Sequence, residues 1–447
     1  MKRSLYNDEH LAFGDSFRSF IAKEITPFYA QWEKDGIASR DMYAKAGASG
    51  FLGMAIPEQY GGGGTKDFRF NAIIAEELAA AGIGGAGAGI TLHNDITTPY
   101  YMEICTVEQK ARWLPGIASG ELITAIAMTE PGTGSDLASI ATTARKDGDR
   151  YILNGSKTFI TNGINSDIII VAAKTDPTQR HTGMSLMIVE RSMAGFERGR
   201  NLEKIGMHSQ DTAELFFNDV EVPVENLLGD EGRAFHYLTS NLAQERLSIA
   251  IAGVAFARSA LNWTVDYVKE RKAFGQSISN FQNTKFVLAE QRTAIDVAQA
   301  YVDQCILALN DDELTAAEAA AAAAGLDFQA YAGEKDGDAA PQITAIENCV
   351  AAGAKGILIT ASNDSVAPAL KDARAAGILV IALDTPIADP EAQDMTFATD
   401  NFEAGILIGK WAAATMGEGA ATAKIAMLNI NKDNISVDVQ RNTGFLT

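Results

Sequence analysis

Hydrophobic residues recur at helical spacing through the first quarter of the chain. Phe13, Phe17 and Ile21 follow one another at intervals of four, which places them on one face of a helix. Pro27 predicts an interruption within or at the end of a helix, because proline lacks the backbone N–H that a helix interior needs. The helical pattern dominates as far as about residue 120, so we predict an α-helical domain over residues 1–120.

The pattern changes from a helical to a strand period near residue 123. The dipeptide Asn154-Gly155 predicts a hairpin turn between two short strands, because both residues tolerate the backbone conformations of tight turns. Further apolar runs predict strands at residues 168–172, 184–189 and 214–217. We therefore predict a compact, β-barrel-like domain over residues 121–234.

Helical periodicity returns near residue 235 and continues to about residue 309. Apolar residues again recur at intervals of three and four, which is typical of helices that bury one face. This part of the chain is predicted to be an α-helical bundle over residues 235–320. A different pattern begins after the alanine-rich run at residues 319–324.

The last part of the chain alternates between continuous apolar runs and helical patterns. The apolar runs lie at residues 356–360, 378–383 and 424–429, and the helical patterns cover residues 340–352 and 366–376. Buried parallel strands in βαβ units have this pattern, because helices cover both faces of the sheet. We predict a partial α/β lobe with a parallel sheet over residues 321–447, and a multidomain α+β fold for the whole chain.

Composition narrows the possible partners of the chain. With 447 residues it is too long for one hydrophobic core, and its net charge of −20 argues against a nucleic-acid partner. The most apolar stretch, residues 168–173, is too short to span a bilayer. The first ten residues lack the apolar core of a secretory signal, and three widely separated cysteines fit no metal site. We expect a cytoplasmic protein with neither a membrane span nor a metal ion.

Three stretches of the sequence could carry chemistry. Gly132 and Gly134 follow the first predicted strand and allow a backbone to approach a ligand closely, although a tight turn would use the same residues. Further on, Phe159 and Thr161 lie two apart on a strand and so share a face. Residues 270–276 then end a long helix with cations.

Taken in this order and at these separations, the three stretches resemble the acyl-CoA dehydrogenases, and the resemblance covers residues 1–318. It implies FAD as the cofactor, oxidation of an acyl-CoA thioester to a trans-2-enoyl-CoA, and an electron-transfer flavoprotein as the electron acceptor. It assigns flavin contacts to Met128, Thr129, Ser135, Phe159 and Thr161. Long-chain or branched substrates and fatty-acid β-oxidation fit this branch of the family.

The resemblance also implies contacts to the substrate and to a second subunit. Ser135 would contact the pantetheine of acyl-CoA as well as the flavin, and Arg246 would lie at the acyl-CoA site. Arg271, Phe274 and Gln282 match positions that hold the FAD of a neighbouring subunit. A homo-oligomer, either a dimer or a tetramer, is therefore expected.

The base that removes the α-proton is predicted to be Glu245. In the long-chain and isovaleryl branch of the family the base lies in a Gln-Glu-Arg-Leu context, and residues 244–247 read so here. Leu242 and Ile249 also place Glu245 on an apolar stripe of its helix, where burial would raise the pKa of the carboxyl toward neutrality. An exposed helical glutamate is the alternative interpretation.

From about residue 320 the sequence resembles periplasmic sugar-binding proteins of the ribose type. Asp384, after a predicted parallel strand, matches a carboxylate that binds sugar hydroxyls and is a candidate for a vestigial sugar contact. Relative to their families, the dehydrogenase part lacks its last helices and the sugar-binding part lacks its first strand and second lobe. The chain thus resembles a chimera, and the missing helices predict exposed apolar faces over residues 281–309.

Three other functions stay open at this point. An acyl-CoA oxidase would share the dehydrogenase residues but would reoxidise its flavin with O2. A sugar-binding module is supported by residues 320–447 alone. A folded but inactive fusion would result if the missing helices abolished flavin binding.

Overall fold

The computed structural model describes residues 3–314, 339–351, 354–383 and 387–397. The chain divides into two compact units, residues 1–328 and residues 329–447. Helices, a β-sheet, further helices and a small parallel sheet follow one another along the chain. This order confirms the predicted multidomain α+β fold.

Seven α-helices form the first part of unit 1. They are α1 (Asp8–Phe20), α2 (Thr26–Asp35), α3 (Asp41–Ala48), α4 (Arg69–Ala80), α5 (Gly84–Thr91), α6 (Thr98–Ile104) and α7 (Val107–Ser119). Two π-helical turns, Ile21–Ile25 and Leu92–Thr97, join consecutive helices. The interruption predicted from Pro27 is the first of these turns, and the proline itself lies in the first turn of α2, directly after it.

An eight-stranded sheet follows the helices. Its strands are β1 (Thr124–Ala127), β2 (Thr143–Asp147), β3 (Arg150–Thr161), β4 (Ile168–Lys174), β5 (Met184–Glu190), β6 (Phe196–Asn201), β7 (Thr212–Pro223) and β8 (Leu227–Leu228). The order is β6-β7-β3-β2-β4-β5-β8, and β1 runs parallel to β4. Side chains from both halves of the sheet share one core, among them Leu153, Val171, Met187 and Leu215, so the sheet curls into a barrel-like shape.

The predicted hairpin at Asn154-Gly155 is wrong, because β3 runs through both residues. Asn154 instead uses its side-chain amide to donate to Asp219 on β7, at 2.9 Å. The turn between β2 and β3 lies at Gly148, which has a left-handed φ of +65° and follows Asp147. Two turn dipeptides thus competed in the sequence, and the strand pairing selected Asp-Gly over Asn-Gly.

Two long helices follow the sheet in unit 1. Helix α8 (Ala234–Glu270) has 37 residues and α9 (Gln282–Asn310) has 29, with a short hairpin of β9 (Lys272–Ala273) and β10 (Gln276–Ser277) between them. One side of α8 packs on α4 and α9 through a core that includes Leu247, Ile251, Val302 and Ile306. Phe286 and Val297 of α9 are exposed, as predicted for residues 281–309, and Trp263 of α8 is exposed as well.

The described part of unit 2 is a parallel sheet with helices. It contains α10 (Ala340–Ala351), β11 (Gly356–Ile359), α11 (Ala367–Ala375), β12 (Leu379–Leu383) and β13 (Met395–Phe397), and the three strands are parallel in the order β11-β12-β13. The predicted strands and helices in this region are confirmed. Asp384, the alanine-rich run and the strand predicted at residues 424–429 lie outside the described residues. Within the described ranges no helix is both long enough and apolar enough to cross a bilayer.

Candidate functional site

A buried ion pair anchors the glycine-rich loop to strand β3. The Lys157 ammonium lies 2.8 Å from the Glu130 carboxylate, and both side chains are almost completely buried. Lys157 also donates to the carbonyl of Met128 at 2.9 Å, while the Glu130 carboxylate accepts from the amides of Ala141 and Thr142. The pair therefore fixes both ends of the loop.

The charge state of this pair follows from its surroundings. Burial by itself would raise the pKa of Glu130, but Lys157 and the two amides outweigh burial and lower it. Burial lowers the pKa of Lys157 to about 8, so the ammonium stays protonated at neutral pH. The two groups are thus charged and paired.

The loop itself is open toward its outer side. A Cβ atom placed on Gly132 or Gly134 would meet no described atom within 4 Å, and neither glycine has a left-handed φ. Neither packing within the described chain nor backbone conformation therefore requires glycine at these positions. Close approach of a bound ligand to the backbone would require glycine at both positions. Ser135, next in the loop, is exposed.

Strand β3, which carries Phe159 and Thr161, is joined to this loop by hydrogen bonds. The amide of Thr158 donates to the carbonyl of Thr129 at 2.9 Å, which joins strand β3 to the start of the loop. Phe159 has a left-handed φ of +60° and is 67% exposed, in a β-bulge between Lys157 and Ile160. A large aromatic side chain exposed in a costly backbone conformation is typical of a ligand-binding position. The structure thus joins the part of the loop that carries Met128 and Thr129 to the strand that carries Phe159 and Thr161.

Glu245 lies on α8 with its carboxyl group partly buried. The hydroxyl of Tyr100, a fully buried residue of α6, donates to Glu245 Oε1 at 2.8 Å. Burial raises the pKa of Glu245 above its ordinary value, and the Tyr100 hydrogen bond and the Arg246 charge oppose that rise. Burial and the neighbouring carboxylate raise the pKa of Tyr100, so its phenol stays protonated and donates.

The predicted reason for the burial of Glu245 needs correction. Ile249, expected to share an apolar stripe with it, is 65% exposed, and Leu242 is partly buried. The described chain covers only part of the circumference of α8, and an apolar side chain cannot by itself indicate which part is covered. Contact with Tyr100, which is 145 residues away in sequence, accounts for the shielding of the carboxyl group.

One hydrophobic cluster connects the base to the loop. It contains Tyr100, Leu238 and Ile126, and Met128 packs against it. Leu238 precedes Glu245 by about two turns of α8, and Ile126 lies on the strand that leads into the glycine-rich loop. A carboxylate and an open loop therefore share one rigid support.

The remaining predicted residues lie elsewhere in unit 1. Arg271, Phe274 and Gln282 are exposed around the hairpin between α8 and α9, and Phe274 has a left-handed φ of +51° and is 95% exposed. No described hydrogen bond links them to the glycine-rich loop or to Glu245. Arg246 is partly buried beside Glu245. The described residues contain no cluster of three or more His, Cys, Asp or Glu side chains suited to a metal ion.

Sequence reasoning missed Tyr100 and the Glu130–Lys157 pair. Tyr100 is one of two adjacent tyrosines in a helix, and nothing in the spacing of this segment distinguishes it. Lys157 is the one charged residue between positions 151 and 161 of β3, and a charge within a strand could have indicated a buried partner.

The first three parts of the chain match models of one family. Residues 7–121, 125–220 and 232–326 match the N-terminal, middle and C-terminal domains of acyl-CoA dehydrogenases, respectively. Residues 310–446 match a periplasmic binding protein domain. The C-terminal dehydrogenase match and the binding-protein match thus overlap at residues 310–326.

Individual proteins show the same similarity. The long-chain specific acyl-CoA dehydrogenase of Sus scrofa is 46% identical over 306 residues, which are 68% of this chain and 70% of that protein. Isovaleryl-CoA dehydrogenase of Pongo abelii is 36% identical over 285 residues, 63% of this chain and 66% of the relative. The crystal structure of an acyl-CoA dehydrogenase from Geobacillus kaustophilus has a TM-score of 0.70 and 51% identity, covering 72% of this chain and 84% of that one.

Proposed function

The chain belongs to the acyl-CoA dehydrogenase family, and on that premise we propose that Glu245 is the base in FAD-dependent α,β-dehydrogenation of an acyl-CoA thioester. The observation that carries the proposal is the partly buried Glu245 carboxylate held by Tyr100. The reaction forms a trans-2-enoyl-CoA.

The environment of Glu245 suits removal of an α-proton. The carboxylate form must accept the proton, and a base is most effective when its pKa lies near the working pH. Burial moves the pKa of Glu245 upward in that direction, while the Tyr100 hydroxyl keeps an ionised form available. The partial exposure of the side chain leaves room for a substrate to approach it.

The residues around the loop fit FAD. Gly132 and Gly134 leave the outer side of the loop open, and the exposed ring of Phe159 offers a surface on which a planar ring can stack. We propose that Met128 and Thr129 hydrogen-bond the flavin and that Thr161 and Ser135 lie at its edge. When bound, FAD supplies the acceptor for the hydride that leaves Cβ.

Several finer points belong to the same proposal. The exposed Arg271, Phe274 and Gln282 would hold the FAD of a neighbouring subunit, which makes a homo-oligomer necessary. Ser135 and Arg246 would contact acyl-CoA. An electron-transfer flavoprotein would reoxidise the flavin in the cytoplasm, and the similarity to long-chain and isovaleryl enzymes favours long or branched acyl groups.

The Glu245→Gln variant tests the assignment of the base. General-base catalysis contributes about 10²- to 10⁴-fold, so anaerobic flavin reduction by acyl-CoA should slow by at least about a hundredfold while FAD stays bound. Asp266→Asn is the matched control, because Asp266 is an exposed carboxylate on the same helix. Flavin reduction by Glu245→Gln at the rate of the Asp266→Asn control would contradict the proposal.

The oxidase alternative is tested by hydrogen peroxide. A dehydrogenase that passes electrons to a flavoprotein should form little peroxide during aerobic turnover with acyl-CoA. One peroxide for each enoyl-CoA formed would instead identify an oxidase. The binding-protein match and the parallel sheet of unit 2 describe a fold, and no ligand is assigned to it.

A further inference from the structure

Three hydrogen bonds join one short segment to the turn of α8 that carries Glu245. Gln244 donates to the backbone carbonyl of Asp95 at 2.7 Å, and Ser248 donates to Asp95 Oδ2 at 2.6 Å. Five residues after Asp95, Tyr100 donates to Glu245 Oε1 at 2.8 Å. The helix is therefore held immediately before the carboxylate, at the carboxylate and one turn after it.

A π-helical turn makes this arrangement possible. Residues five apart in an α-helix point about 140° away from each other, because each residue turns by about 100°. The segment Leu92–Thr97 is π-helical, and the amide of Thr98 bonds to the carbonyl of His93, five residues earlier. This wider turn reduces the angle between Asp95 and Tyr100, so both can contact α8. π-Helical turns frequently occur at functional sites.

The segment is itself held by a third helix, α4. The Asn71 side chain on α4 donates to Asp95 Oδ1 at 2.7 Å. Asp95 is 2% exposed and Tyr100 is fully buried, so neither side chain has room to adopt another position. Helix α4, the π-helical turn and α8 thus form one rigid support.

From this geometry we propose that Tyr100 is a positioning residue for the base, holding the Glu245 carboxylate by one oxygen while Asp95 fixes the helical turn that carries it. The proposal rests on the proposed role of Glu245. The other carboxylate oxygen, Oε2, accepts no hydrogen bond from the described part of the chain and is left to receive the α-proton. A phenol that only donates keeps Oε1 occupied and directs protonation to Oε2.

Few other charges face this carboxylate. Tyr100 on α6 and Arg246 on α8 lower the pKa of Glu245, and the charge of Glu103 on α6 raises the pKa of Tyr100. Asp95 accepts from Ser248 on the next turn of α8. Loss of the Tyr100 hydrogen bond should raise the pKa of Glu245 further, because a hydrogen bond to a charged group stabilises its ionised form.

Tyr100→Phe in the FAD-loaded enzyme tests the proposal. The control is Tyr101→Phe, because Tyr101 is an adjacent, fully buried tyrosine whose hydroxyl has no hydrogen-bond partner among the described residues. For Tyr100→Phe, the rate of anaerobic flavin reduction by acyl-CoA should fall about ten- to a hundredfold, and its acid limb should move to higher pH. KM should change little, and Tyr101→Phe should match the wild type.

The outcomes separate this inference from the role of Glu245. Identical rates and pH profiles for Tyr100→Phe and Tyr101→Phe, with Glu245→Gln inactive, would overturn the positioning role and leave the base intact. An active Glu245→Gln would instead overturn the proposed function on which the inference rests.

A second variant keeps the proposal testable if Tyr100→Phe does not fold. Gln244→Met removes the hydrogen bond to the Asp95 carbonyl and leaves the Tyr100–Glu245 contact in place. The reduction rate should fall while the acid limb stays where it is in the wild type. A wild-type rate for Gln244→Met would contradict the role of Asp95, and a shifted acid limb would contradict the assignment of the pKa effect to Tyr100.

Discussion

Lys157→Met should destabilise the β domain by leaving a buried carboxylate without its partner. The Lys157 side chain is completely buried and Glu130 is 6% exposed, so solvent cannot replace the lost ammonium. Removal of one partner from a buried ion pair costs about 3–5 kcal/mol. The amides of Ala141 and Thr142 still bond to the carboxylate, which places the expected loss near the lower end, at about 3 kcal/mol. Methionine fills most of the lysine stem volume, so a cavity adds little.

The pH dependence gives this prediction a distinct signature. Without Lys157, burial raises the pKa of Glu130 above its unfolded value of about 4.3. A group with a raised folded pKa contributes its stability at low pH and loses it as pH rises through the folded pKa. The deficit of Lys157→Met should therefore be smaller at pH 5.5 than at pH 8.

Urea unfolding of the apoprotein, followed by circular dichroism, measures the effect. The double variant Lys157→Met/Glu130→Gln is the control, because it removes the unpaired charge and should recover about 2 kcal/mol of the loss. A double variant no more stable than Lys157→Met, or a deficit that is the same at pH 5.5 and pH 8, would refute the reasoning.

Phe159→Gly should stabilise the apoprotein by about 1 kcal/mol in the same unfolding assay, because glycine relieves the left-handed φ of an exposed residue, and it should weaken FAD binding in a flavin titration. Asp95→Asn should make stability fall more steeply with acid. Burial lowers the pKa of His93 to about 4, so the contribution of His93 to the stability of the protein is lost as pH falls from about 6.5. Burial raises the pKa of Asp95 to about 6, so the contribution of Asp95 is lost as pH rises toward 6. The two slopes oppose each other between pH 4 and 6, and the variant should lose up to about 1.4 kcal/mol more per pH unit there. A lower free energy of unfolding for the Phe159→Gly apoprotein than for the wild type would contradict the first expectation. The same dependence of stability on pH for Asp95→Asn and the wild type would contradict the second.

The order of domains was predictable because hydrophobic periodicity reports burial directly. Continuous apolar runs indicated β4, β5 and β12, since these strands are covered on both faces or pack into a shared core. The position of the turn between β2 and β3 was not predictable, because Asp147-Gly148 and Asn154-Gly155 are both typical hairpin-turn dipeptides. Only pairing with other strands distinguishes them.

Part of the candidate site could likewise be predicted from the sequence and part could not. The glycine-rich loop and Glu245 could be identified from local sequence patterns. The support of Glu245 could not, because Tyr100 and Asp95 lie about 150 residues away in sequence, and their contact with α8 depends on a π-helical turn that has no sequence signature. The exposed Ile249 shows that an apolar stripe does not by itself predict burial, because an exposed apolar face of a helix has the same periodicity as a buried one.

The visible spectrum of the purified full chain tests most directly whether the protein binds FAD and oxidises acyl-CoA. We predict a flavin band near ~450 nm that bleaches when a long-chain or branched acyl-CoA is added without oxygen. A colourless protein that takes up no added FAD, or a bound flavin that no acyl-CoA reduces, would contradict this prediction.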